Sequence, residues 1–302
     1  MKIQRATFLG VRGVPDMTLD LTNPRTNALH DVVVFTGPSG SGKTRVLEAL
    51  IAAKEALGAY GPMTAGAPWI ASGQAAKIHL TFLLNEEEQR YAGTSQPTQD
   101  GEVVFQPDRA KSEADEGLRA VLERYTHEVG QGKLEYFPSS RHTTGFAPYG
   151  GLGPAWNRIG RASKDARKYS FVVPFLRSLE FDRPRADRFL ATLKALAPTL
   201  HYAPGTSPDG LPRCFSSRGG SAVTAAELSD GEADAVIFAA TAALIGLDHS
   251  LVFVDRPDLH WQDAGAVLSG LAALGKDNQL FLAGRPELAA AAEGGLVVQL
   301  KG

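Results

Sequence analysis

The chain of 302 residues carries 31 Lys+Arg against 33 Asp+Glu, a formal net charge of -2, with 43% hydrophobic and 21% charged residues. That composition excludes a chain disordered throughout and a protein basic enough overall to coat nucleic acid, and the length suits one large or two modest domains. The single cysteine, Cys214, excludes an internal disulfide, and the opening MKIQRATFLG lacks the apolar core of a secretory signal, so a cytoplasmic setting is expected.

Two extended stretches, KIQRATFL and MTLDLT, flank the turn-rich GVRGVPD. Val32 to Phe35 is a β-branched run of the kind a sheet buries on both faces. After a glycine-rich turn, Val46, Leu47, Leu50, Ile51 and Leu57 recur at helical spacing, which predicts a helix over 44–57 with one apolar face. Strand-like pieces AKIHLTFLL and GEVVFQ predict an antiparallel subdomain, with the acidic run Glu86-Glu87-Glu88 as a solvated turn between them. Leu134 to Phe137 reads as a further strand, followed by helices over 172–179 and 185–196 and then a loop.

From residue 232 onward, helices over 232–247, 264–274 and 286–292 alternate with strands over 251–254, 279–282 and 296–300, the pattern of a parallel sheet covered on both faces. The longest apolar run, Ala235 to Leu247, lies between Asp234 and Asp248 and falls short of the ~20 residues that span a bilayer, so no membrane insertion is expected. The expected fold is α/β with a mostly parallel sheet flanked by helices, an antiparallel β subdomain and a helical insertion. One domain over 1–302 is expected, divided into lobes at 1–140, 141–226 and 227–302.

Gly37-Pro38-Ser39-Gly40-Ser41-Gly42-Lys43-Thr44 matches G-x-x-x-x-G-K-[ST] between an apolar strand and an amphipathic helix, the P-loop NTPase context. Glycines let backbone N–H groups turn inward around a polyphosphate, and the helix N-terminus adds partial positive charge. Lys43 then reaches the β and γ phosphates of ATP, and the Thr44 hydroxyl holds Mg²⁺. Asp255, ending the apolar run Leu251 to Val254, is the expected second metal anchor.

The order FLGVRG, GPSGSGKT, Leu228-Ser229-Asp230-Gly231-Glu232, LVFVD and RPDLH resembles the ABC-type ATPases of the RecF, SMC, Rad50 and OLD group, a set also described as AAA-family ATP-binding proteins. LSDGE looks like that family's signature motif and VDRPDLH like its V-D-E-P-x-L-H segment. The resemblance implies an ATP-dependent head-to-tail dimer, with itself or a related chain, in which Ser229 and Gly231 of one subunit meet the γ-phosphate held by the other. A sustained heptad pattern is absent from 141–227, so a compact RecF- or OLD-type head is the closer comparison. The resemblance further implies work in DNA repair or in defence against mobile elements, beside a nuclease partner.

Three positions depart from the family pattern. Arg256 stands where a Glu polarises the attacking water, and an arginine cannot act as a general base. Ala283-Gly284-Arg285-Pro286 lacks the switch His, and Tyr136 to Arg141 lacks the Q-loop Gln. Hydrolysis is therefore expected to be slow or lost. Arg256, Arg285 and Arg141 are candidates to neutralise phosphate charge or to form ion pairs, and Asp258 or His260 are candidates for a substitute base. A hydrolysing subunit completed by a partner chain and a transporter's nucleotide-binding subunit remain open, although Lys43 and Ser229 stand 186 positions apart, wide for a minimal transporter cassette.

Between Arg141 and Arg188 there are 10 Lys+Arg and 4 Asp+Glu, a local +6 that leaves -8 elsewhere. Within this stretch Arg158, Arg161, Lys164, Arg167 and Lys168 lie beside Trp156 and Tyr169. The run reads either as a DNA-contacting surface or as a solvated helix face. His and Cys spacing suggests no zinc site.

Overall fold

The computed structural model describes residues 1–61, 67–71, 75–124, 132–142, 160–203, 213–217, 222–261 and 263–301. Strands β1 (Lys2–Leu9), β2 (Met17–Asp20), β4 (Ala76–Leu83), β5 (Thr98–Phe105) and β6 (Ala110–Ala114) form an antiparallel sheet in the order β2-β1-β4-β5-β6. In β4 the side chains alternate strictly between buried and half-exposed, as a sheet with one wet face demands. The second sheet is wholly parallel, with β3 (Val32–Thr36), β7 (Leu134–Phe137), β11 (Leu251–Asp255), β12 (Gln279–Ala283) and β13 (Leu296–Gln299) in the order β13-β3-β12-β11-β7.

Both faces of the parallel sheet are covered, which is why its strands read as unbroken apolar runs. Val33, Phe35, Leu251 and Phe253 point into one core, shared with helix α1 (Lys43–Leu57) and the antiparallel sheet. Val34, Val252, Val254 and Leu282 point into the other, shared with the helix at Asp230–Ile245. Helix α1 therefore lies between two sheets and is buried on more than the one face its periodicity suggests, down to Ala49, Ala52 and Ala53. Helix 230–245 is buried at every position from Ala233 to Ile245, including Asp234.

Several elements differ from expectation. The acidic run opens helix α2 (Glu86–Ala92): Asn85 accepts from the Glu88 N–H at 2.8 Å while the Glu88 carboxylate accepts from the Asn85 N–H at 3.0 Å, a capping box that makes Glu88 a buried residue. β6 and helix α3 (Glu116–Glu123) extend the antiparallel subdomain. Helices α4 (Val172–Ser178) and α5 (Arg183–Leu196) form where the spacing puts them, and part of the following loop forms a small sheet of β8 (Leu200–Tyr202), β9 (Arg213–Ser217) and β10 (Val223–Thr224). Helix 230–245 is hereafter α6, followed by α7 (Ala264–Ala272) and α8 (Pro286–Ala291). Among the described residues no helix is long and apolar enough to cross a membrane.

Candidate nucleotide-binding site

The loop from Gly37 to Gly42 joins β3 to α1 and is held in a shape that only glycine permits. Gly42 caps α1 with a φ of 93°, and a Cβ there would lie 2.3 Å from the Gly13 carbonyl oxygen; a Cβ on Gly37, with φ 145°, would lie 2.3 Å from that of Leu300. The first turn of α1 contains no acidic residue, so its unpaired N–H groups keep their positive partial charge. Lys43 Nζ folds back over the loop, donating to the carbonyls of Gly37 and Pro38 at 2.8 Å each.

At the end of β11, Asp255 accepts from the Thr44 hydroxyl at 2.9 Å, so the two metal anchors read from sequence meet although they are 211 positions apart. Burial pushes the Asp255 carboxyl above its ordinary value, opposed by the Thr44 bond and the nearby Arg141 charge. A cation placed beside it reverses that cost. A hydroxyl and a carboxylate are hard oxygen donors suited to Mg²⁺, which keeps waters and phosphate oxygens as its remaining ligands. An all-protein cage of His, Cys, Asp or Glu is therefore not required, and the described residues contain none.

The loop, Thr44, Asp255, Arg256, Asp258 and Arg285 line a cavity of about 530 Å³. Arg256 is exposed there with φ 51°, its N–H donating to the Ala283 carbonyl at 2.7 Å. Arg285 precedes α8; its N–H and Nε both donate to Asp258 Oδ2, at 2.9 and 3.0 Å, which engages Asp258 in holding an arginine. Ser229 caps α6 in a capping box with Glu232, and its hydroxyl donates to Glu232 Oε2 at 2.6 Å. Ser229 and Gly231 do not line the cavity that holds Lys43. Within one chain the structure leaves the Ser229–Gly231 segment apart from the glycine-rich loop.

Arg141 follows the ion-pair reading, in the interior and not at a surface. It is buried, and its five N–H groups are all engaged: Nε and Nη2 on the two carboxylate oxygens of Asp234 at 2.9 and 2.8 Å, Nη1 on the carbonyls of Pro138 and Asp255, and Nη2 again on that of Arg256. It has no donor left for a phosphate and ties β7, β11 and α6 together. Asp234, which only bounded an apolar run in the sequence, also meets His260 Nδ1 at 3.1 Å. A lone carboxylate inside an otherwise buried helix was the available signal for this hub.

The basic run requires a correction. Arg161 and Lys168 are buried and form ion pairs with the buried Glu135 of β7, at 3.0 and 2.9 Å. Desolvation lowers the Lys168 ammonium to about 8, with Glu135 acting in the opposite direction. Lys164 pairs with Glu48 of α1, Arg167 is exposed and pairs with Asp165, and Tyr169 is fully buried. Trp156 and Arg158 lie outside the described residues. Among the described residues of this run, Arg161 and Lys168 fasten the segment internally to β7 while Lys164 and Arg167 stay exposed, so it is not one exposed surface.

The crystal structure of the SmcHead bound to the C-winged helix domain of ScpA is similar to this chain, with a TM-score of 0.63 and 13% identity over 98% of this chain and 94% of that one. At that identity the likeness establishes the fold alone, an α/β fold shared with the SmcHead. No protein-family profile matches the chain, and no curated protein sequence matches it.

Proposed function

We propose that this chain is an ATP-binding head of the RecF/OLD type that uses ATP and Mg²⁺ to close a head-to-tail dimer and hydrolyses the nucleotide slowly. The observation that carries this reading is the Thr44–Asp255 contact at the mouth of a glycine-locked phosphate loop. Lys43 and the loop N–H groups hold the β and γ phosphates, while Thr44 and Asp255 hold Mg²⁺. Arg256 and Arg285, both lining the cavity, add positive charge at its γ-phosphate end. Ser229 and Gly231, absent from their own chain's cavity, serve the nucleotide of a second copy or a related chain. The SmcHead is bound to a winged-helix domain, which supports a role for this head beside a partner protein. A nuclease is the partner expected of this group, in DNA repair or in defence against mobile elements.

Calorimetric ATP titration and light scattering on wild type, Lys43→Ala and Arg256→Glu test the reading. Lys43→Ala should abolish binding, wild type should dimerise with ATP, and Arg256→Glu should speed turnover. Wild-type turnover near 1 s⁻¹, within the ordinary enzyme range of roughly 1–10³ s⁻¹, would sink the slow-hydrolysis reading.

A further inference from the structure

With Arg256 unable to take a proton and Asp258 holding Arg285, His260 is the described residue whose placement on a buried carboxylate suits a base. His260 Nδ1 lies 3.1 Å from Asp234 Oδ2, and that carboxylate is fully buried and already fixed by two bonds from Arg141. A carboxylate offers only lone pairs, so the contact is made through a proton on Nδ1 and turns Nε2 away from Asp234. The His260 side chain is 22% exposed and lines a cavity of about 490 Å³ with Trp261 and Glu287. This cavity shares Asp258 and Arg285 with the phosphate-loop cavity, but His260 itself does not line the latter.

Two contacts attach His260 to the signature helix instead. Asp234 stands on α6, one turn after Asp230, and Gly231 packs so closely that a Cβ there would lie 3.1 Å from the His260 carbonyl oxygen. Wherever Ser229 and Gly231 are delivered, His260 goes with them.

We infer that His260 is the general base for ATP hydrolysis and acts in trans, on the nucleotide held by the partner's phosphate loop. Nε2 takes a proton from the attacking water as the water oxygen bonds to the γ-phosphorus. The bond from that phosphorus to the β–γ bridging oxygen breaks, and its electron pair leaves with ADP. Inorganic phosphate and a proton released to solvent complete the balance. Asp234 is the positioning residue, and Arg141 holds Asp234. The inference rests on the head-to-tail dimer proposed above.

The test uses the full chain. His260→Gln should bind ATP and dimerise as wild type does, while single-turnover ADP formation falls by about 10²- to 10⁴-fold, the range for loss of a general base. The ATP-bound dimer should persist correspondingly longer by light scattering. ADP formation at the wild-type rate overturns the assignment. In mixed dimers isolated through different tags, a Lys43→Ala chain presents His260 while a His260→Gln chain holds ATP. Recovery of ADP formation supports action in trans, and no recovery overturns it. Wild type that dimerises with ATP yet forms no ADP removes His260 as a base and leaves the dimer reading standing, whereas the absence of ATP-driven dimers removes both.

Discussion

Arg141 and Arg285 occupy comparable places in the sequence, each just beyond a core strand, yet they do opposite things. Arg141 is fully buried and engages every donor within the protein, whereas the Arg285 side chain is 60% exposed at the rim of the phosphate-loop cavity. Burial, not residue type or partner distance, separates a structural tie from a group available to a ligand. The same contrast divides Lys168, enclosed against Glu135, from Arg167, its exposed neighbour in sequence.

Three substitutions sharpen the contrast. Arg141→Ala should cost the most, about 3–5 kcal/mol of unfolding free energy by urea denaturation, because it strands the Asp234 carboxylate in the interior. A loss below about 1 kcal/mol would break the distinction. Lys168 gives a smaller effect with a definite sign. Its folded value of about 8 lies below the ordinary 10.5, so between those values the unfolded chain binds more protons and this group's contribution to stability rises with pH. The stability difference between wild type and Lys168→Met should shift toward wild type by about 2 kcal/mol from pH 8 to pH 10; a difference that stays flat with pH would contradict the buried charge. Arg285→Ala should change stability least, by less than about 1 kcal/mol, since one partner is solvent-exposed. It should nonetheless weaken ATP binding by roughly tenfold, about 1.4 kcal/mol. Calorimetry that found unchanged affinity would remove Arg285 from the site.

Much of this architecture was legible in the chain. The phosphate loop announces itself because glycine positions, strand and helix are contiguous, and the strands from 251 onward follow from local apolar runs. Helix α6 was readable as buried, but the use of Asp234 was not, since its partners Arg141 and His260 are 93 and 26 positions away. The basic run misled for the same reason: a charge count sees Arg161 and Lys168 but not Glu135 lying on the strand they cover. Glu86 to Glu88 looked like a solvated turn because charge was weighed before capping, although Asn85 followed by Glu88 carries the N-terminal signature of a helix.

The segment that carries Arg161 and Lys168 also lies along the outer side of β7. The Tyr136 N–H donates to the Arg161 carbonyl at 3.1 Å, and Lys168 Nζ donates to the Tyr136 carbonyl. β7 ends the parallel sheet, and an uncovered edge strand is a template on which foreign strands add. Residues 160–168 cover part of that edge, and a variant lacking them should lose solubility through it even with its phosphate loop intact.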